Sequence, residues 1–309
     1  MGRRAQMRQM HLLHSPLAPW QLWVKSCRPK TLTAAFVPMV AGAAIALHSD
    51  QGWRPDLLAY SLAASFALQI GTNLLNDAVD TENGTDNLAR MGPKRAIHYG
   101  LIQASQLYRL ALLLFALAWM VAIPLIAEGG PLLLLLFSLS QLVAYSHSAG
   151  PYPLSRSPWC DLAICLSLGP VATSCSTMLQ SGHWQLLSLL VGTQLGLLCA
   201  AINMINSLRD REQDAQAGRC TIPVYLGIGL AHLELGMAFL LPFALQLIWL
   251  LWDAPWVALL PQLLLPLPLL LWRRVVKTEP SAIYNTFLGQ TALLHLLFGL
   301  IVALLLAWS

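Results

Sequence analysis

The chain contains 309 residues, of which 57% are hydrophobic and only 10% are charged. Soluble domains carry about 25% charged residues, so this composition excludes an ordinary soluble globule and indicates a membrane protein. The six cysteines include no pair at CxxC spacing, which excludes the common zinc and redox motifs.

The apolar residues fall into nine segments, most of them near the ~20 residues that cross a bilayer as a helix. The segments show no period-2 alternation, and an open sheet is not viable in lipid. The sequence therefore predicts an all-α, polytopic bundle of nine transmembrane helices. The predicted segments are Thr31–Leu47, Leu57–Asn76, Leu107–Ala127, Pro131–Ser148, Trp159–Gln180, Leu186–Asn206, Leu235–Trp252, Pro255–Trp272 and Thr286–Trp308.

The basic residues predict the orientation. If the N-terminus is cytoplasmic, 17 of the 18 Lys and Arg residues fall on cytoplasmic segments, and only Arg54 does not. Cytoplasmic loops carry such an excess of positive charge. We therefore expect a bacterial inner-membrane protein with a cytoplasmic N-terminus and a periplasmic C-terminus. Residues 1–30 are expected to form a cytoplasmic segment without a cleaved signal peptide, followed by a single transmembrane domain over 31–309.

The end of the second predicted helix carries amides and carboxylates, which we call the first Asp motif. Asn73, Asn76, Asp77 and Asp80 stand at positions i, i+3, i+4 and i+7. Residues at these positions share one face of a helix. The four polar side chains should therefore project together from an otherwise apolar helix.

The end of the sixth predicted helix repeats this arrangement, and we call it the second Asp motif. Asn203, Asn206, Asp210 and Asp214 stand at i, i+3, i+7 and i+11, again on one face. The two Asn-x-x-Asn pairs lie 130 residues apart, and each follows an even-numbered helix. Both should open on the same side of the membrane, which suggests an internal pseudo-repeat of four helices.

Two facing carboxylate motifs point to a metal-bound diphosphate. Ionisable groups at membrane depth are costly and usually functional, and the carboxylates would repel each other without a cation between them. Mg²⁺ typically binds one or two carboxylates together with substrate phosphates. Asn73 and Asn203 are expected to bind the metal or to orient its ligands. The cations that follow the motifs, Lys94, Arg95 and Arg219, are expected to bind diphosphate, with positive-inside topology as the plainer alternative.

These residues resemble the UbiA-type intramembrane aromatic prenyltransferases, and within them the branch that prenylates 1,4-dihydroxy-2-naphthoate in menaquinone synthesis. The resemblance covers nearly the whole chain. The stretches that carry it are Arg28–Leu32, Asn73–Asp86 with Gly92–Arg95, Tyr145 with Gly150–Leu154, Arg209–Asp214 with Gly218–Arg219 and Leu226–Gly227, and Leu288–Ala292.

The resemblance implies a helical bundle around a central cavity that opens sideways into the membrane. It also implies Mg²⁺-dependent transfer of a polyprenyl chain from a prenyl diphosphate to dihydroxynaphthoate. Diphosphate and CO₂ would be lost, giving demethylmenaquinol. The implied Mg²⁺–diphosphate ligands are Asn73, Asp77, Asp80 and Asp86 in one site and Asp210 and Asp214 in the other.

The acceptor site is predicted from cations and tyrosines near helix ends. An acceptor that carries a carboxylate needs a cation, for which Arg28 and Lys30 are the candidates; interfacial anchoring is their alternative role. Tyr145 and Tyr152 are candidates for lining the ring site, or are ordinary interface tyrosines.

A transporter is the main alternative of another class, since bundles with internal pseudo-repeats are common among transporters. Transporter sites usually lie near mid-membrane, whereas the charged residues here crowd the predicted cytoplasmic end. Among enzymes, the alternative is prenyl transfer to another aromatic acceptor such as 4-hydroxybenzoate.

Overall fold

The computed structural model describes residues 18–49, 52–83, 91–92, 95–99 and 102–308, which contain helices and turns and no β-strand. The prediction of an all-α chain is confirmed. The helices are α1 Pro19–Ser26, α2 Thr33–His48, α3 Pro55–Glu82, α4 Ala104–Ser146, α5 Cys160–Leu166, α6 Ala172–Ser181, α7 Leu186–Gln216, α8 Ile222–Tyr225, α9 Ile228–Gln246, α10 Pro255–Leu259, α11 Pro266–Lys277 and α12 Tyr284–Trp308.

The described residues form nine membrane crossings, as predicted. Eight helical stretches are long and apolar enough to span a membrane, several of them joined from shorter helices, such as α5 and α6 in Cys160–Ser181. Helix α4 has 43 residues and would measure about 65 Å if straight, twice the ~30 Å hydrocarbon core. It breaks at Gly130, whose φ of 68° is non-helical and which Pro131 follows. Helix α4 therefore supplies two crossings.

The helices that carry the Asp motifs extend past the ends predicted for them. Helix α3 continues from Asn76 to Glu82, and α7 continues from Asn206 to Gln216. The apolar run ends at the membrane surface, but the residues that follow still favour a helix. Because the backbone stays helical, each Asp motif lies on one helix face throughout.

Part of the predicted N-terminal segment packs onto the bundle. Helix α1 buries Leu22 completely against an apolar cluster that includes Leu74 and Leu75 of α3. Arg28 follows in a left-handed conformation with φ of 49°, and a 3₁₀ turn over Pro29–Leu32 leads into α2. This turn of the chain brings the Arg28 side chain to the end of α3.

Glycines let α7 approach the span Cys160–Ser181 closely. A Cβ added at Gly196 would lie 2.1 Å from the carbonyl oxygen of Cys165, and one at Gly169 would lie 2.4 Å from that of Gly192. Gly192 and Gly196 form the GxxxG spacing that permits close packing of membrane helices. The contact fixes the start of α5 beside Asn203, two turns beyond Gly196.

Candidate active site

A cavity of about 740 Å³ lies inside the bundle. Where α3 and α7 end, its wall carries both Asp motifs together with several basic side chains. Away from this end the wall is largely apolar, with contributions from Leu125, Leu133, Phe137, Leu168 and Leu179. The cavity therefore matches an amphiphile with a charged head and an apolar tail.

All four residues of the first Asp motif line this cavity. Asn73 is buried, and its Nδ2 donates to the carbonyl oxygen of Cys27 at 3.2 Å and to Thr31 Oγ1 at 3.0 Å. The amide thus ties the segment before α2 onto α3. This tie places Arg28 within hydrogen-bonding reach of Asp77.

Three arginines neutralise the buried carboxylates of the first Asp motif. Arg28 pairs with Asp77. Arg95 reaches both carboxylates, with Nε 3.1 Å from Asp77 Oδ1 and Nη2 2.9 Å from Asp80 Oδ2. Arg219 Nη2 lies 2.5 Å from Asp80 Oδ1. Buried carboxylates without such partners would be strongly destabilising, so these pairs explain how the motif is tolerated inside the bundle.

All four residues of the second Asp motif also line the cavity. Asn203 Nδ2 donates to Asp161 Oδ1 at 3.0 Å. Asp210 accepts from Arg209, whose Nε lies 2.8 Å from Oδ1 and whose Nη2 lies 2.5 Å from Oδ2. Asn203 therefore contacts a carboxylate that is not among the predicted metal ligands, and its own role toward the metal stays a prediction.

Arg219 joins the two Asp motifs. Its Nη2 pairs with Asp80 of the first motif, and its Nη1 lies 3.6 Å from Asp214 Oδ1 of the second. The carboxylates of both motifs are therefore within the span of one guanidinium group. The structure brings together two segments that lie far apart in the chain.

Two polar residues at or beside this site were not predicted as site residues. Asp161 is only 4% exposed and lies in the first turn of α5. An ionisable residue within an apolar segment is a signal that could have identified it. His147 follows the end of α4 and lines the cavity. Burial, assisted by nearby Arg28, lowers the pKa of His147 to about 4, so the imidazole is neutral at pH 7.

The acceptor candidates divide into two groups. Arg28 and Lys30 line the cavity at its charged end. Tyr145 is half-buried against the apolar cluster between α3 and α4, and Tyr152 is 89% exposed. Neither tyrosine lines the cavity. Two further predicted site residues, Asp86 and Lys94, lie outside the described residues.

The donor atoms around the cavity fit Mg²⁺. Carboxylate and amide oxygens of both Asp motifs line it, and hard oxygen ligands suit this ion. Across the part of the chain that the structure describes, no group of three or more Asp, Glu, His or Cys side chains could hold a metal ion by itself. Mg²⁺ needs only one or two protein carboxylates when substrate phosphates complete its shell, and the two Asp motifs supply such carboxylates.

A model of the UbiA prenyltransferase family matches residues 35–298 of the chain. The chain belongs to the UbiA prenyltransferase family. The resemblance noted in the sequence is thus confirmed, and the enzyme class is prenyltransferase.

Curated relatives within this family are similar over about two thirds of the chain. The chain is 32% identical over 213 residues to the 1,4-dihydroxy-2-naphthoate octaprenyltransferase of Escherichia coli (strain K12), covering 67% of this chain and 69% of that protein. It is 31% identical over 213 residues to the enzyme of the same name from Mycobacterium tuberculosis, covering 68% and 72%. For the Bacillus subtilis protein of that name, identity is 30% and coverage is 67% of this chain and 65% of the relative, just under two thirds of its length.

Solved structures of UbiA homologs share the fold. A UbiA homolog from Aeropyrum pernix K1 aligns with a TM-score of 0.64 at 18% identity, covering 88% of this chain and 96% of that one. A UbiA homolog from Archaeoglobus fulgidus, bound to DMAPP and Mg²⁺, aligns with a TM-score of 0.62 at 15% identity, covering 91% and 98%. The bundle described above is therefore the UbiA fold.

Proposed function

We propose that this prenyltransferase moves a polyprenyl chain from a prenyl diphosphate to 1,4-dihydroxy-2-naphthoate, with loss of diphosphate and CO₂, to give demethylmenaquinol. Mg²⁺ is the proposed cofactor. The names of the bacterial relatives support this acceptor, and a structural neighbour that holds DMAPP and Mg²⁺ supports the donor and the metal.

The observation that carries the proposal is the meeting of the two Asp motifs across Arg219. A diphosphate placed there would face carboxylates from α3 and α7. Mg²⁺ held by these carboxylates would neutralise the charge that develops on the leaving diphosphate. The proposed ligands are Asp77, Asp80, Asp210 and Asp214, joined by Asn73 and Asp86.

The basic residues at the charged end of the cavity would hold the phosphate oxygens. The planar guanidinium groups of Arg95 and Arg219 have the geometry to contact two phosphate oxygens each. In this structure the two groups pair with the carboxylates of the Asp motifs. A bound diphosphate would offer these guanidinium groups oxygen atoms to pair with. Lys94 is proposed to add a further cation. The apolar remainder of the cavity would exclude water that would otherwise trap the allylic cation.

The acceptor would be held by Arg28 and Lys30, which line the same end of the cavity. One of them would pair with the naphthoate carboxylate. Breakage of the bond between C1 and the diphosphate oxygen would leave an allylic cation, and the ring carbon that bears the carboxylate would attack C1 of this cation. Loss of CO₂ then returns the electron pair of the carbon–carboxylate bond to the ring. Neither Tyr145 nor Tyr152 has a place in this proposal, because neither reaches the cavity.

The test is a direct assay of the purified protein in detergent. It combines Mg²⁺ and a labelled prenyl diphosphate with dihydroxynaphthoate or 4-hydroxybenzoate in parallel, with EDTA in matched reactions. We expect Mg²⁺-dependent prenylated naphthoquinol and CO₂. Product from 4-hydroxybenzoate alone would overturn the acceptor and keep the enzyme class.

The transporter alternative is not retained, because the family match over residues 35–298 gives the enzyme class as prenyltransferase.

We also propose that the protein lies in the bacterial inner membrane with its N-terminus in the cytoplasm and its C-terminus in the periplasm. The distribution of Lys and Arg supports this orientation. Reporter domains fused to each terminus would test it, since only a periplasmic fusion of alkaline phosphatase is active. An active N-terminal fusion would refute the proposed orientation.

A further inference from the structure

Arg209 is a buried cation whose hydrogen bonds converge on one carboxylate and two amides. Only 1% of the residue is exposed. Besides the two bonds to Asp210, its Nη2 donates to Asn206 Oδ1 at 2.5 Å and its Nη1 donates to Asn285 Oδ1 at 2.7 Å. A buried guanidinium must have its donors satisfied. The orientation of Arg209 is therefore set by these acceptors.

Asn285 uses both ends of its amide. It lies in the first turn of α12 and lines the cavity. Its Oδ1 receives the Arg209 bond, and its Nδ2 donates to the carbonyl oxygen of Met91 at 3.1 Å. Met91 belongs to the segment that follows the first Asp motif and precedes Arg95. One side chain of the last helix thus joins the second Asp motif to the segment after the first.

The Asp210 carboxylate is bound by one arginine, whereas each carboxylate of the first Asp motif is bound by two. An ionised carboxylate offers about four lone-pair positions, and Arg209 occupies one on each oxygen. Within the residues that the structure describes, no other side chain bonds Asp210, so its remaining positions can bind a metal while Arg209 stays in place. Asp77 and Asp80, in contrast, each bind two arginines. Asp210 is therefore oriented in advance for its ligand.

We propose that Asn285 is a positioning residue. Its side chain fixes the orientation of the Arg209 guanidinium group, which in turn orients the Asp210 carboxylate toward the metal-bound diphosphate. The inference rests on the proposed function, in which Asp210 binds Mg²⁺. Without Asn285, Nη1 of Arg209 loses its acceptor, and the fork can rotate away from Asp210. The effect should appear in metal affinity rather than in folding.

The experiment measures Mn²⁺ affinity by electron paramagnetic resonance in the presence of inorganic diphosphate, which requires no turnover. Replacing residues that orient metal ligands typically weakens binding by about 10–100-fold. We expect Asn285→Ala to weaken Mn²⁺ binding by about tenfold. Arg209→Lys keeps the charge without the fork and should do the same, so it serves as a second variant if Asn285→Ala folds poorly. Unchanged affinity in a folded variant would overturn the proposal.

The matched control is Thr291→Val on the same helix. Thr291 is fully buried, and its hydroxyl donates to the Phe287 carbonyl oxygen of its own helix. The substitution removes a buried polar group from α12 without touching Arg209. Mn²⁺ affinity should stay within about twofold of the parent, well short of the range for a ligand-orienting residue. A loss equal to that of Asn285→Ala would show a general effect of α12 packing and would overturn the proposal.

A double-mutant cycle with Asp210→Asn separates this inference from the proposed function. If Asn285 acts through Asp210, adding Asn285→Ala to Asp210→Asn should cause no further loss of Mn²⁺ affinity. If the two substitutions weaken Mn²⁺ binding by factors that multiply in the double variant, the positioning role is refuted. Parent-like Mn²⁺ affinity in Asp210→Asn alone would instead refute the metal role of Asp210, and with it the premise.

Discussion

Replacing Asp77 by Asn separates the catalytic role of the first Asp motif from its structural role. The carboxylate is 3% exposed and pairs with Arg28 and Arg95, whose side chains are 32% and 7% exposed. Asparagine keeps the shape and one oxygen acceptor but removes the charge. The change therefore perturbs the electrostatics at the charged end of the cavity while preserving its packing.

The cost in stability should be modest. Removing one partner of a buried ion pair costs about 3–5 kcal/mol when the other charge is left alone. In the Asp77→Asn variant, Arg95 would still pair with Asp80, which lies 2.9 Å away. Arg28 would not be a fully buried unpaired charge, because its side chain is 32% exposed. We therefore expect about 1–2 kcal/mol, near the value of one charge-assisted hydrogen bond. A protein with only about 5 kcal/mol of stability would remain about 99% folded.

The cost in activity should be much larger. Loss of one group that stabilises developing charge lowers kcat by about 10²–10³-fold. Unfolding of about 1% of the molecules cannot produce such a loss. The assay is the initial rate of prenylated naphthoquinol formation with both substrates and Mg²⁺ in excess. It is normalised to the monodisperse fraction in size-exclusion chromatography, and thermal unfolding measures the change in stability.

The control is Asp56→Asn at the other end of the same helix. Asp56 is 54% exposed and pairs with exposed Arg54 at 3.1 Å, and water and salt screen such a surface pair strongly. This variant should keep full activity. The reasoning fails if Asp77→Asn retains more than about a tenth of the parental rate, far above the expected range. It also fails if Asp56→Asn loses as much activity as Asp77→Asn.

Three further substitutions test other parts of the site. Arg219→Lys keeps the charge but not the fork that reaches both Asp motifs, and should lower kcat by about tenfold or more, since Lys does not replace Arg at bidentate sites; a parental kcat would contradict this. Asp161→Asn removes the charged acceptor of the Asn203 amide and should raise the Mg²⁺ concentration for half-maximal rate by about tenfold, which a Mg²⁺ titration would show or exclude. Gly196→Ala would place a Cβ 2.1 Å from the Cys165 carbonyl oxygen and should destabilise the bundle by about 1–3 kcal/mol; an unchanged melting temperature would refute the close packing.

Much of the architecture follows from local sequence because local physics sets it. The thickness of the hydrocarbon core sets the length of a crossing. Nine apolar segments therefore predicted nine crossings, although two of the segments belong to the single long helix α4. The faces of the Asp motifs were predictable because side-chain direction along a helix depends only on spacing. The helix ends were wrong by several residues, because hydropathy marks where the membrane ends and not where the helix ends.

Tertiary packing alone decided which charges meet. Asp77 pairs with Arg28, 49 residues away, and Asp80 pairs with Arg219, 139 residues away. No local pattern encodes such pairs, because they depend on how whole helices are placed against one another. The burial of Asp161 beside Asn203 likewise depends on a glycine contact two turns along α7. Local patterns along the chain therefore predict a membrane bundle with two acidic helix ends. The partners of those acidic residues depend on the fold, since burial and proximity arise only when distant helices pack.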